Sequence, residues 1–417
     1  MTTTRNAAAE PLRHSGFRWL LTGRFASYLG NAVAPVALAF AVLDLTGSVS
    51  DLGLVVGARS IANVLLLLFG GVLADRLPRA LVLRGSSYAA ALTQAVVAVV
   101  VLTHTATIPM LMVLGVLNGA VAGMSFPASA ALTPQTVPGS LIRQANALLR
   151  LATNTALIGG TAIGGVLVAG VGPGWGIAVD AASFAVAGLC FSRIRVPDLP
   201  SSPGAATSTL TQLREGWGEF VSRTWVWVVV VAAMGLNAAY TGGIAVLGPA
   251  VADDSIGRRS WGIALAASTA GMLVGGLVSL RWQPRHALRL AVALSPLAAL
   301  PLLALAYLPV LAALAAALFL TGLTFELFGV AWDVSMQEQV PAEKLARVYS
   351  YDAVGSFVAI PLGEILVGPI AHAYGVSTTL TWCAVLVVAS SLFALCSRSV
   401  RTLTRIDQPS ELLEPVG

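Results

Sequence analysis

The sequence predicts an all-α membrane protein, with twelve transmembrane helices in two pseudo-symmetric six-helix bundles. Three observations lead there. Of 417 residues, 57% are hydrophobic and only 10% charged; soluble domains carry about 25% charge, so this chain cannot cover a water-facing surface. Its apolar residues gather in runs of the ~20 residues that a spanning helix needs. Finally, the two halves of the chain echo each other at an offset of about 205 residues.

Residues 1–16 are polar and read as a cytoplasmic tail. Helix 1 is expected over 17–45, helix 2 over 52–73, helix 3 over 80–102, helix 4 over 109–132, helix 5 over 145–169, and helix 6 ends at Arg193 and Arg195. Gly172-Pro173-Gly174 reads as a tight turn between helices 5 and 6. Residues 196–223 form the linker between the bundles 17–195 and 224–398. Within it Leu210, Leu213, Trp217, Phe220 and Val221 share one helical face, which fits either a short helix lying on the inner leaflet or an ordinary solvated linker. Helix 7 is expected over 225–251, helix 8 over 261–280, helix 9 over 288–308, helix 10 over 310–332, helix 11 over 350–374 and helix 12 over 378–397, followed by a cytoplasmic tail, 399–417. The basic residues fall mostly in alternate loops, which places both termini inside; the net charge of +5 therefore reads as membrane orientation and not nucleic-acid binding. Cys190, Cys383 and Cys396 lie in apolar runs without metal spacing and read as small packing residues.

The repeat is visible at three places. Gly275-Gly276, Arg281, Pro284 and Arg285 echo Gly70-Gly71, Arg76, Pro78 and Arg79, with one residue inserted. Val340-Pro341, Leu345 and Arg347 echo Val137-Pro138, Leu141 and Arg143, and Leu395-Cys396 with Arg398 echoes Leu189-Cys190 with Arg193.

The run Gly71-Val72-Leu73-Ala74-Asp75-Arg76-Leu77-Pro78-Arg79 puts one acid and two arginines where an apolar helix ends, so it must be a tight loop at a membrane surface. It resembles the loop signature of the major facilitator superfamily between helices 2 and 3. Gly71, Asp75, Arg76 and Arg79 match that signature, while Pro78 stands where the family has glycine. The resemblance implies the parallel two-bundle fold, with a substrate site between the halves near mid-bilayer. It also implies that Asp75 faces the inner end of helix 11, and that helices 1, 4, 7 and 10 line a central cavity. In helix 5, Gly160-Thr161-Ala162-Ile163-Gly164-Gly165 is similar to the glycine signature of proton antiporters, with Thr161 in place of its proline; ordinary small-residue packing is the alternative. Segments around Asp44 to Ser48 and Arg347 to Ser350 resemble the bacterial efflux branch that includes enterobactin exporters. Lys344 is the lone lysine among 24 basic residues, a bias that suggests a GC-rich bacterial genome.

Polar residues at mid-membrane are costly unless they face the bundle interior or water. On helices 1, 4, 7 and 10, Asn31, Asn118, Asn237 and Thr321 are expected to form a polar girdle around a ligand of neutral or mixed polarity; interhelical hydrogen bonding is the alternative. Tyr28, Phe126, Tyr240 and Phe325 lie near them, as stacking surfaces or plain packing. Glu326, Glu364, Asp180 and Asp352 lie within helices, where a carboxyl group changes its proton occupancy when water or a cation reaches it. They are the candidates for proton coupling, with Glu326 first because helix 10 is expected to line the cavity. Arg59 in helix 2 and Glu364 in helix 11 fall at one depth on helices that the resemblance makes neighbours, so they are expected to form a gating ion pair; Arg59 pairing with Asp44, or reaching outward to water, is the alternative.

Together these readings predict a multi-pass monomer in a bacterial plasma membrane, exporting small lipophilic molecules or secondary metabolites by proton antiport. A proton-linked importer on the same fold is the alternative, and a non-transporting receptor or scaffold is a rival of another class. No Gly-x-x-x-x-Gly-Lys loop points to ATP, and no His-Glu-x-x-His run points to an enzyme or a metal, so no cofactor is expected.

Overall fold

The computed structural model describes residues 10–74, 79–194, 217–282 and 284–404, which among them contain helices and no strand. Twelve long helices follow in order. The first six are α1 (Ser15–Thr46), α2 (Val49–Ala74), α3 (Arg79–Leu102), α4 (Ile108–Thr136), α5 (Ile142–Val171) and α6 (Pro173–Ser192). The second six are α7 (Thr224–Asp254), α8 (Arg258–Arg281), α9 (Ala287–Tyr307), α10 (Leu311–Gln339), α11 (Ala342–Phe357, continued by Ile360–Tyr374) and α12 (Val376–Cys396). Eleven are long and apolar enough to cross a membrane, and α4 adds 29 residues whose apolar part is Ile108–Gly123. The expected helices are all present. However, α10 continues to Gln339 and α11 begins at Ala342, well before residue 350.

The irregularities of the second half have one cause. Proline offers no N–H to the carbonyl four residues back, and its ring crowds that carbonyl. Pro249 follows a π-helical stretch, Gly242–Leu247, inside α7. Pro296 lies in a 3-10 stretch, Ser295–Ala298, inside α9. Pro361 sits just after the break in α11. In the first half Pro35 lies inside α1 and withdraws the helical donor from the carbonyl of Asn31.

Packing reproduces the repeat. The pairs α1–α5, α1–α6, α2–α4 and α3–α6 recur six helices on as α7–α11, α7–α12, α8–α10 and α9–α12. The turns recur too: Gly172 and Gly375, between α5 and α6 and between α11 and α12, have φ of 92° and 88°, a region that side chains avoid.

Between the halves, α5 lies on α8 and α2 on α11. These contacts concentrate at the end of the bundle away from the termini. There one hydrophobic core spans both halves, from Phe40, Leu52 and Ile177 to Leu247, Trp261, Leu314 and Leu380. Toward the terminal end the core divides. Phe17, Leu20, Leu132, Leu149 and Phe191 form one cluster, and Val226, Leu288, Trp332, Met336 and Val348 another. An ion pair fastens the shared end. Arg258 at the start of α8 grips Asp44 at the end of α1 with both terminal nitrogens, at 2.5 and 2.9 Å, and donates to Asp253 at 2.8 Å. Its guanidinium also lies 4.8 Å from the centre of the Phe40 ring.

The described end of the linker, a short helix over 217–222, docks on the second half and does not simply lie on lipid. Phe220 is buried, and Trp217 and Phe220 stack against each other and meet the Tyr351 ring. Glu219 accepts from Arg223 at 2.6 Å and from Lys344 of α11. Leu210 and Leu213 lie outside the described residues. Among the described residues the three cysteines are free thiols.

Two predictions follow from this packing. A Cβ on Gly262 of α8 would stand 2.7 Å from the Cα of Gly165 on α5. Overpacking of that kind costs about 1–3 kcal/mol, so Gly262→Leu is expected to reduce the closed population at this end by roughly tenfold. Electron–electron distance measurements between spin labels on Thr46→Cys and Ser255→Cys would show it; an unchanged distribution would count against tight closure. At the linker, the hydrogen bond from Lys344, then that from Arg223, holds the Glu219 carboxyl below its usual range. A depressed carboxyl contributes stability above its unfolded pKa and loses it as pH falls through the folded value. Hydrogen-exchange protection factors over 217–222 should therefore fall in acid in the parent and lose that pH dependence in Glu219→Gln.

Candidate functional site

Where the core divides, a cavity of about 740 Å³ opens. Its walls come from α1, α2, α3, α4, α5 and α6, with only Phe357 and Ile360 of α11 from the second half among the described residues. The first half supplies Arg24, Ser27, Tyr28, Asn31, Arg59, Ser60, Asn63, Ser87, Asn118, Thr133 and Asn146, together with the rings of Phe184 and Phe191. The volume is that of a pocket for a drug-sized molecule, and the mix of apolar walls with a few polar groups is typical of one.

Arg59 is the electrostatic centre. α2 carries it inward because Gly119 of α4 lets the α2 backbone at Arg59 approach directly, where a Cβ would collide with the Arg59 carbonyl. Its Nε donates to Asn118 Oδ1 at 3.1 Å, and Asn118 Nδ2 donates onward to Thr93 Oγ1 at 3.5 Å. The carboxylates whose charge acts on it are Asp180 and Glu364. Asp180 of α6 is fully buried, accepts from Gln94 through Oδ2 and leaves Oδ1 without a partner, against Gly30. Glu364 of α11 is 3% exposed and leaves Oε2 without a partner. A buried polar atom without a partner costs about 1–3 kcal/mol, more for a charged group. These two oxygens are therefore places where the protein holds back stability.

The sequence-derived sites fare unevenly. Tyr28, Asn31 and Asn118 do line the cavity, whereas Asn237, Tyr240 and Thr321 are not among its walls. Asn237 donates to the Ser356 carbonyl at 3.0 Å, Thr321 bonds back to the Ala317 carbonyl at 2.9 Å, and Tyr240 meets Phe325 edge-on at 5.0 Å. The four-helix girdle is thus one-sided, because the second half uses its polar groups for helix packing. The side chains of Phe126 and Arg79, and all of Asp75 and Arg76, lie outside the described residues; Gly71 falls in the last turns of α2.

Among the described residues no ion pair joins Arg59 to Glu364 in this conformation: the Nε of Arg59 donates to Asn118, while the charges of Arg59 and Glu364 still act on each other across the α2–α11 contact. Nor does Arg59 reach Asp44, which Arg258 occupies. Glu326 projects against Gly275 and Gly276 of α8 and meets Arg150 of α5 at 3.7 Å, a loose contact with a largely exposed arginine. Asp352 is satisfied by the Trp332 indole at 2.9 Å and the Ser356 hydroxyl at 3.0 Å. The glycines of α5 divide their work: Gly160 and Gly164 lie on α1, and Gly165 lies on Gly262 of α8. Among the described residues no group of His, Cys, Asp or Glu could hold a metal. Sequence reading gave no site role to Arg24, Asn63 or Asn146, although Asn63 interrupts a leucine-rich run and so carried the same signal as Asn31.

Comparison with known proteins agrees with this architecture. Residues 20–364 match the Major Facilitator Superfamily. The chain belongs to that family. It is a membrane-spanning transporter and not an enzyme. The multidrug efflux pump Tap of Mycolicibacterium fortuitum is 28% identical over 366 residues, covering 84% of this chain and 88% of that one. Tap of Mycobacterium tuberculosis is 27% identical over 406 residues, 93% and 94% of the two chains. The enterobactin exporter EntS of Shigella boydii is 27% identical over 267 residues, 64% and 63%. Among solved structures, the nucleoside transporter NupG aligns with a TM-score of 0.71 at 15% identity, over 91% of this chain and 98% of that one. An inward-facing, unoccupied bacterial homologue of the lysosomal transporter Spinster also gives 0.71 at 15%, over 93% and 97%. At such identity the structures share the fold alone.

For this major facilitator transporter the Arg59–Asn118 bond is a test of the site. A hydrogen bond to a charged group contributes about 1.5–3 kcal/mol. Asn118→Ala is expected to lower the unfolding midpoint accordingly, while Asn118→Asp, which keeps an acceptor for Arg59, should recover it. Equal midpoints for parent and Asn118→Ala, by thermal unfolding in detergent, would refute the assignment.

Proposed function

We propose that this transporter exports small lipophilic molecules or secondary metabolites by alternating access, driven by proton antiport. The observation that carries the reading is the divided core: one hydrophobic core across both halves at one end, two separate cores at the other, and a polar and aromatic cavity at the fork. Rocking the halves about that cavity exchanges which end is packed. The efflux direction comes from the relatives named as a multidrug efflux pump and an enterobactin exporter. The bundles are taken as 17–195 and 224–398, and the termini as cytoplasmic in a bacterial plasma membrane; the arginine-rich loops support this orientation. The cavity then faces the cytoplasm in the conformation described, ready for loading.

Asp180 and Glu364 are the proton sites of this proposal. Each keeps an unpartnered buried oxygen near Arg59, and proton uptake there removes a charge that burial penalises. Glu364 stands at the α2–α11 contact, where Gly53 packs on its backbone carbonyl, so a change in its charge acts on the interface between the halves. Glu326 and Asp352 have partners in the protein and are the weaker candidates.

The test is transport by the purified chain in proteoliposomes with a neutral aromatic dye such as Nile red. An imposed pH gradient should drive substrate against its own gradient in the parent. Glu364→Gln should abolish that drive and leave substrate counterflow within about twofold, since binding and rocking without a proton step remain. Gradient-independent uptake in the parent would exclude antiport, and ligand binding without flux would favour a receptor.

A further inference from the structure

The cavity wall has a charge imbalance that the efflux reading does not use. Two guanidinium groups, Arg24 and Arg59, line it, and no acid does among the described residues. The two charges are not equivalent. Arg59 has Asn118 as a hydrogen-bond acceptor and Asp180 and Glu364 behind the wall. Arg24, about six turns before the end of α1 and on the wide side of the fork, has no such answer. Among the described residues no carboxylate pairs with it, and its Nε is buried without an acceptor. Among the described residues it lies beside an aromatic face, with the guanidinium 5.6 Å from the centre of the Tyr28 ring. That contact orients the planar group but offers its N–H donors no lone pair.

We propose that Arg24 is an anion anchor and that the cavity selects ligands pairing a carboxylate, or a comparable anionic oxygen group, with an aromatic body. A carboxylate meets a guanidinium fork through two parallel hydrogen bonds, which the face of the Tyr28 ring cannot supply. The Asn31 and Asn146 amides on the same wall accept neutral polar groups of the ligand, and Phe184, Phe191 and Tyr28 offer faces for its rings. A cationic ligand would meet two like charges across a low-dielectric space with nothing on the wall to offset them. The inference rests on the proposed transport site and names its ligand class, which differs from the neutral or mixed ligand expected of a ring of amides.

Three probes with one ring system separate the charge classes: naphthalene-2-carboxylate, naphthalene-2-carboxamide and naphthalen-2-ylmethylammonium. Their binding to the full chain in detergent is read by calorimetry, without flux. The carboxylate is expected to bind roughly tenfold tighter than the carboxamide, the effect of about one charge-assisted hydrogen bond, and the ammonium more weakly than both. Arg24→Gln should remove the preference, while Arg24→Lys, with a point charge and no fork, should keep part of it. Equal binding of the three probes, no binding of the carboxylate, or an unchanged preference in Arg24→Gln would overturn the proposal. If Arg24→Gln does not fold, the charge series on the parent decides alone. Because binding is measured without transport, a chain that prefers the anion but moves nothing leaves this inference standing and defeats the export reading. A chain that exports without charge preference does the reverse.

Discussion

Arg59 stands deep within a membrane-spanning bundle, and lipid offers its charge nothing. Protein groups have to supply what water would, and much of the first half is arranged to do so. Gly119 brings α4 against the backbone at Arg59, Asn118 meets the side chain, Thr93 supports Asn118, and Gln94 on the next residue of α3 holds Asp180. Glu364 completes the arrangement from the opposite half. An intramembrane charge of this kind is expensive to keep, and here its neighbours include two carboxyl groups that are themselves incompletely satisfied. The cluster lies at the boundary between the halves, so relative motion of the halves alters its electrostatics.

The second constraint is how closely helices must approach. Without a hydrophobic drive between helices in lipid, association relies on packing and small residues. Gly165 on Gly262 joins α5 to α8, and Gly53, Gly57 and Gly368 join α2 to α11. These are smooth, backbone-level contacts, suited to parting and reforming without side chains unlocking. The Arg258–Asp44–Asp253 cluster adds charge at the rim of the same interface, at the end away from the termini. It is partly exposed, which keeps its contribution modest and reversible. The second half, with α7, α9 and α11 each interrupted near a proline, lends the cavity little beyond two apolar residues of α11. Two halves of matching helix packing therefore do different work, one presenting polar groups and the other forming a packing surface.

The sequence by itself determined the twelve helices, their order and the internal repeat, because membrane burial forces long apolar runs and glycines and prolines recur in register in the two halves. It also determined that Asn31, Asn118, Asp180 and Glu364 lie inside the membrane, since a polar residue in an apolar run stands out whatever it touches. Only the tertiary structure decided partners. Helical periodicity leaves open whether Asn237 faces a cavity or the Ser356 carbonyl of a neighbouring helix, and depth alone leaves open whether Arg59 meets Glu364 or Asn118. The Gly165–Gly262 contact, the Arg258 clamp on Asp44 and the unpartnered nitrogen of Arg24 join residues far apart in the chain. Each is fixed by how helices rotate about their axes when they pack, a degree of freedom that hydropathy does not encode.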